Sequence, residues 1–147
     1  SLAEMIAAPW TGSTSARDIG SRAWLHATGT PNFAWSSQAQ GFFTDRSAPG
    51  KWDEPGFAQC WYSDANFERK QRAQQLAEKH GVSTLNIAAA FVLNQPFEQF
   101  ALIGPQNLYE LRTALPAANL TLSDEELTWL NLGEPMVPGR TAAAAAV

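Results

Sequence analysis

The sequence predicts a helix-rich α/β fold with about two parallel strands. Two short runs of strand-forming residues, 32–36 and 100–103, alternate with segments of helical periodicity, although a long loop follows the first run. Strands that alternate with helices are typical of parallel pairing. The chain has 147 residues, fewer than the roughly 200 that a complete (β/α)8 barrel needs. Because two parallel strands leave two open edges, we expect either further strands from outside this chain or a mostly helical fold.

Capping signals and breakers divide the chain into five predicted helices, which span about 15–28, 65–80, 85–94, 108–115 and 124–132. Hydroxyls at 13–15 are the expected cap of the first helix. Ile19, Ala23 and Ala27 recur there at helical spacing and predict one buried face, with Trp24 beside them. The last helix opens on a capping box that begins at Ser123.

Between residues 37 and 63 no periodicity holds, and glycines and prolines interrupt the chain repeatedly. The segment nevertheless carries six aromatic residues: Phe42, Phe43, Trp52, Phe57, Trp61 and Tyr62. Loops of this length in compact domains are often functional. Since so much ring surface is poorly tolerated in water, we expect this loop to be docked on the rest of the protein.

Composition argues against several classes of function. The formal net charge is −4 and the ten basic residues form no cluster, so neither a nucleic acid nor a membrane is an expected partner. No apolar stretch approaches the roughly 20 residues that span a bilayer. The single cysteine, Cys60, cannot form an intrachain disulfide. We therefore expect a cytoplasmic protein.

Residues 1–132 are expected to form one structural unit. Residues 133–147 are rich in proline, glycine and alanine and are expected to form a flexible tail. The chain opens at Ser1 rather than at methionine, so we expect either processing or a longer parent protein.

Groups suited to acid–base, nucleophilic or metal chemistry are scattered along the chain. One cysteine and two distant histidines, His26 and His80, cannot assemble a zinc site. His80 near a helix end is better explained as a partner of the helix dipole. Tyr62 and Tyr109 are more often packing residues than proton donors. No catalytic residue and no metal ligand is therefore predicted.

The two strand ends carry the clearest chemical signals. Residues 100–107 run from an apolar strand through Gly104 into a helix start, where free N–H groups and the helix dipole favour an anion such as phosphate. Ser36 and Ser37 end the first strand, and in parallel α/β folds such ends face the ligand crevice. A simple tight turn at Gly104 and ordinary turn chemistry at the serines are the alternatives.

Several segments, in order, resemble the C-terminal part of an aldo-keto reductase. Residues 34–43 (AWSSQAQGFF) resemble the family's seventh-strand stretch, 72–82 and 87–93 its following helix pair, 101–105 (ALIGP) its eighth strand and cofactor turn, and 120–127 (LTLSDEEL) its closing helix. Residues 1–3 and 9–10 resemble the region just after its sixth strand. The resemblance covers about residues 1–132.

This resemblance implies a partial (β/α)8 (TIM) barrel that uses NADP or NAD to reduce aldehydes and ketones. The implied cofactor-binding residues are Ser36, Ser37, Gln38 and Gly41 along the pyrophosphate, Gly104 and Gln106 at the adenosine phosphate end, and Glu110 and Arg112 on the next helix. The family often has arginine where Gln106 stands, and Arg112 could partly replace it. The family's catalytic tyrosine, lysine, aspartate and histidine belong to the N-terminal half, so none is assigned to this chain.

The predicted function is that of a C-terminal portion of an NAD(P)H-dependent carbonyl reductase. We expect this portion to be inactive alone and to need an N-terminal half in cis or in trans. One alternative is a nucleotide-binding module without chemistry. Another is an interaction module whose open strand edges are covered by self-association into a homo-oligomer.

Overall fold

The computed structural model describes residues 1–8, 10–12 and 15–134. Of the predicted tail at 133–147, residues 135–147 lie outside the described residues. The described part contains six α-helices and two strands: α1 (Ile19–Thr28), β1 (Asn32–Ala34), α2 (Pro55–Trp61), α3 (Asp64–His80), α4 (Thr84–Leu93), β2 (Gln99–Ala101), α5 (Leu108–Ala114) and α6 (Asp124–Leu132). Single 3-10 turns lie at Ala39–Gly41 and Leu115–Asn119. The predicted helix-rich α/β class with two parallel strands is confirmed.

Side-chain caps set the starts of α3 to α6. Ser63, Ser83, Asn107 and Ser123 each accept a hydrogen bond from a backbone N–H in the first turn of the helix that follows. Two of these caps are complete capping boxes, at the starts of α4 and α6. These starts agree with the prediction within about one residue because the caps are local and need no tertiary partner.

Helix α1 begins later than predicted. Its N-cap is Asp18, whose carboxylate accepts a hydrogen bond from the Ser21 N–H at 2.9 Å. Of the expected cap residues, 13 and 14 lie outside the described residues, and Ser15 precedes the helix by several positions. The helix ends as expected at Gly29, which adopts the left-handed conformation at φ 62°.

The predicted buried face of α1 is wrong. Ile19 is 51% exposed and Trp24 is 57% exposed, and the two alanines of the same stripe are exposed as well. Leu25 is the buried residue of this helix. Helical periodicity identifies an apolar stripe correctly, but burial requires a neighbouring surface, and within the described structure this stripe faces outward.

The sheet has two parallel strands in the register Asn32↔Gln99, Phe33↔Phe100 and Ala34↔Ala101. The pairing continues one residue further, because the Leu102 N–H donates to the Ala34 carbonyl at 3.0 Å. Helix α4 packs against β2, α3 packs against α4 and α6, and α5 contacts α4. Both strands therefore end on the same side, next to the start of α5.

The aromatic loop is docked, as predicted. Phe42, Phe43 and Trp61 are buried in the main core, although Trp52 remains 58% exposed. The loop also contains α2, which the sequence analysis missed because it treated Pro55 as a breaker. Proline is well tolerated at the first position of a helix, and Pro55 occupies that position.

The helices described here lack the combination of length and apolar character that crossing a membrane requires.

Candidate functional site

A cleft of about 650 Å³ opens where the chain leaves β1 and β2. Its walls are residues 35–38, 40, 41, 44 and 46 after β1, residues 102–106 after β2, Leu85 of α4, and Glu110, Thr113 and Ala114 of α5. The carboxyl ends of neighbouring parallel strands are where open α/β sheets hold their ligands. The two segments singled out in the sequence thus form one cleft.

All of the predicted cofactor-binding residues except Arg112 line this cleft. Ser36, Ser37, Gln38 and Gly41 lie on one wall, and Gly104, Gln106 and Glu110 lie on the other. Arg112 is exposed in the last turn of α5 and is not among the lining residues, so the structure does not bring it to this site. The assignment of these residues to a cofactor remains a prediction.

Ser37 joins the two strand ends. Its side chain is fully buried, and its hydroxyl donates to the Leu102 carbonyl at 2.7 Å. The proton of this hydroxyl is therefore committed to the fold, while its oxygen can still accept a hydrogen bond. Ser37 has a structural role that the sequence analysis did not anticipate.

The wall after β1 has an unusual backbone. Ser36, Ala39 and Gln40 adopt the left-handed conformation at φ 48°, 48° and 52°, and Gly41 follows at φ 83°. For a residue with a Cβ this conformation is disfavoured by about 1–2 kcal/mol. Tertiary contacts hold the turn, because Ala39 is fully buried and Gln40 Oε1 accepts from Trp61 Nε1 at 3.1 Å. Strained backbone of this kind concentrates at functional sites.

Two features of the cleft leave room and hydrogen-bonding capacity for a ligand. Gln38 Nε2 is buried and has no hydrogen-bond partner among the described residues. Leaving such a donor unpaired costs about 1–3 kcal/mol, which a ligand oxygen would recover. At Gly104, a Cβ would meet nothing within 4 Å, and no positive φ demands glycine there. The backbone at Gly104 thus leaves open space beside it for a ligand.

Arg46 supplies positive charge to the cleft, and the sequence analysis missed it. Its Nη1 donates to the Gln40 carbonyl at 2.7 Å, and its guanidinium carbon lies 4.4 Å from the centre of the Phe57 ring. Glu54 binds the other edge in a bidentate ion pair, with Nε and Oε1 at 2.9 Å. This hydrogen-bonded pair raises the pKa of Arg46 and lowers the pKa of Glu54. Because Arg46 lies in the segment without periodicity, no sequence pattern predicted that it would bring positive charge to the cleft.

Glu110 folds back over the start of α5. Its Oε2 accepts from the Gln106 N–H at 2.7 Å, and its Oε1 accepts from Asn107 Nδ2 at 3.1 Å. A carboxylate of this chain thus takes the donors at which the sequence analysis placed a phosphate. The Gln106 N–H is available to a ligand only when Glu110 moves away.

The candidate acid–base groups lie elsewhere. The Tyr62 hydroxyl accepts from the Ala48 N–H at 3.4 Å, and its ring packs among four others, of Phe42, Trp52, Phe57 and Phe67. Tyr109 is 76% exposed on α5. Burial raises the pKa of the Cys60 thiol, which disfavours the thiolate. Within the described residues, no group of three or more histidine, cysteine or acidic side chains is placed to hold a metal.

Comparison with protein families decides the identity of this fold. A sequence model described as the aldo/keto reductase family matches residues 18–131, which is more than half of the chain. The chain belongs to the aldo/keto reductase family. The match contains both strands and every residue that lines the cleft, and the family identifies the two-stranded unit as part of a TIM barrel. A search of curated proteins gave no match.

Proposed function

We propose that this chain forms the cofactor side of an NAD(P)H-dependent aldo/keto reductase. The observation that carries the proposal is the cleft at the two strand ends, which Gln38, with its unpaired Nε2, and Gly104 both line. In this proposal Ser36, Gln38 and Gly41 hold the pyrophosphate, and Gly104 and Gln106 hold the adenosine phosphate end.

When bound, the nicotinamide cofactor supplies hydride for the reduction of an aldehyde or ketone carbonyl. The residues of this chain bind and orient the cofactor. Ser37 fixes the spacing of the two strand ends through its bond to Leu102. Around the left-handed turn at residues 39–41, the wall of the cleft is lined by Gln38, Gln40 and Gly41. We propose that the proton donor for the carbonyl oxygen comes from an N-terminal half, in cis or in trans.

Residues 1–132 form the barrel portion in this proposal, followed by a tail at 133–147. A cytoplasmic location belongs to the same proposal, since the single cysteine needs no oxidising compartment.

The experiment is a titration of the 147-residue chain with NADPH and with NADH, followed by tryptophan fluorescence, together with an assay of carbonyl reduction. Trp35 lines the cleft and is placed to report binding. We expect saturable quenching without turnover. Absence of any saturable change up to millimolar cofactor would reject the binding role, and robust turnover by this chain alone would reject the need for a second half.

A second candidate function is self-association, and exposed apolar surface on the sheet favours it. The rings of Phe33 and Phe100 stack at 4.8 Å between centroids and are 60% and 44% exposed. Together with the open edges of β1 and β2, they offer a surface for a second copy of the chain. Light scattering tests this candidate: a dimer or larger assembly is expected, and a stable monomer at high concentration would contradict it.

A further inference from the structure

Among the described residues that line the cleft, Arg46 is the only one with a positive charge. Its guanidinium is held on three sides, by the Gln40 carbonyl, by the face of the Phe57 ring and by the carboxylate of Glu54. Only the last of these contacts is with an anion. Arginine presents a fork of donors that fits a carboxylate and a phosphate in the same bidentate manner.

We propose that Glu54 is an internal competitor for the anionic part of the ligand, so that a diphosphate entering the cleft must displace Glu54 from Arg46. The inference rests on the proposed function, because it concerns the regulation of affinity at that cleft.

The geometry makes this exchange possible without disturbing the fold. The side chains of Arg46 and Glu54 are 41% and 51% exposed, so water can replace the ion pair and a ligand can reach the guanidinium. Glu54 stands at the N-cap of α2, yet its side chain makes no capping hydrogen bond there. Its departure therefore leaves α2 with the same caps that it has now.

Arg46 stays in place when Glu54 leaves. The bond from Nη1 to the Gln40 carbonyl and the contact with the Phe57 ring involve neither of the nitrogens that bind Glu54, since Nε and Nη2 make the ion pair. The edge that Glu54 occupies is the edge that an incoming phosphate would take. When a ligand displaces Glu54, its phosphate thus replaces a carboxylate on an Arg46 guanidinium that is already in position.

The experiment compares the wild-type chain with Glu54→Gln and, as the matched control, Asp53→Asn. Both variants remove one negative charge, and Asp53 is the exposed neighbour of Glu54. Each protein is titrated with inorganic pyrophosphate and with NADPH by calorimetry, and circular dichroism verifies folding. Since an exposed ion pair is weak, Glu54→Gln is expected to bind both ligands only about threefold to fivefold more tightly than Asp53→Asn.

A double variant, Arg46→Gln with Glu54→Gln, is expected to lose this gain. Equal affinities of Glu54→Gln and Asp53→Asn, weaker binding by Glu54→Gln, or no pyrophosphate binding by any folded variant would overturn the inference. Pyrophosphate binding that depends on Glu54, with no NADPH binding by any variant, would support the competition while rejecting the proposed cofactor. NADPH binding that Glu54→Gln leaves unchanged would support the proposed cofactor while rejecting the competition.

Discussion

At the scale of single residues, the wall after β1 depends on backbone conformations that side chains ordinarily avoid. Ser36, Ala39 and Gln40 all have positive φ. The serines and Gly41 mark this segment in the sequence, but no rule predicts left-handed backbone at an alanine or a glutamine. Burial of Ala39 and the bond between Gln40 and Trp61 hold these conformations, and both are tertiary contacts that a local pattern does not contain.

The first residue-scale prediction concerns Gly104. Gly104→Ala is expected to leave the free energy of unfolding unchanged within about 0.5 kcal/mol, because the added methyl meets open space. The same methyl should weaken NADPH binding severalfold if the cofactor lies against this backbone. Urea unfolding and fluorescence titration measure the two effects.

Gly56→Ala is the matched control, because Gly56 also has open space around a built Cβ and does not line the cleft. Equal NADPH affinity in the two variants would remove Gly104 from the site.

Ser37 supports a second prediction. Ser37→Ala leaves the Leu102 carbonyl without its side-chain donor in a partly buried setting, and it is expected to destabilise the fold by about 1 kcal/mol. Denaturant unfolding measures this loss. Unchanged stability would show that the link between the two strand ends is dispensable.

At the scale of elements, most helix starts set by local sequence were predicted correctly, whereas the burial of α1, which tertiary contacts set, was not. The caps at Ser63, Ser83 and Ser123 were predictable because each is read within one helical turn. The apolar stripe of α1 was also visible, but its burial was predicted wrongly, since the described residues provide no surface to cover it. Helix α2 was missed because its proline occupies the first helical position, where it is tolerated.

The contact between the last turn of α3 and the first turn of α6 predicts how the stability of the fold depends on pH. Glu126 Oε1 lies 2.8 Å from both Lys79 Nζ and His80 Nε2. Burial opposes ionisation of Glu126, but the bonds from Lys79, the Ser123 backbone and His80 outweigh it and lower its pKa to about 2. Since the folded pKa lies below the unfolded value of 4.5, the contribution to stability is complete above pH 4.5 and is lost as the pH falls towards 2.

We expect this contribution to be on the order of 1–2 kcal/mol, because Lys79 is 65% exposed and water screens its charge. Urea unfolding between pH 5 and pH 2.5 should show a steeper loss of stability for the wild type than for Glu126→Gln. Glu125→Gln, at the exposed neighbouring position, should follow the wild type. Parallel curves for wild type and Glu126→Gln would contradict the assignment.

At the scale of the whole molecule, the order of strands and helices was enough to predict the fold class. It also placed both halves of the cleft, because the carboxyl ends of parallel strands meet on one side. The position of Arg46 in the cleft and the hydrogen bond from the Gln106 N–H to Glu110 could not be predicted, since both depend on how loops and side chains fold back. Arg112 does not line the cleft, and its assignment to a cofactor stays a prediction.

The exposed sheet face leads to a whole-molecule prediction. Phe33→Ser is expected to shift the protein towards monomer, because it removes half of the exposed ring stack that a second copy would cover. Tyr109→Ser removes a comparably exposed ring from α5 and should leave the assembly unchanged. Sedimentation velocity distinguishes these outcomes, and identical behaviour of both variants would remove the sheet face from the interface.

Nuclear magnetic resonance of the isotopically labelled chain during titration with NADPH tests the cofactor cleft most directly. The account predicts saturable chemical-shift changes at the Gln38 side-chain amide and at the backbone amide signals of Gly41 and Gly104, because these residues line the two walls. Unchanged spectra at millimolar NADPH, or changes confined to residues away from the two strand ends, would contradict it.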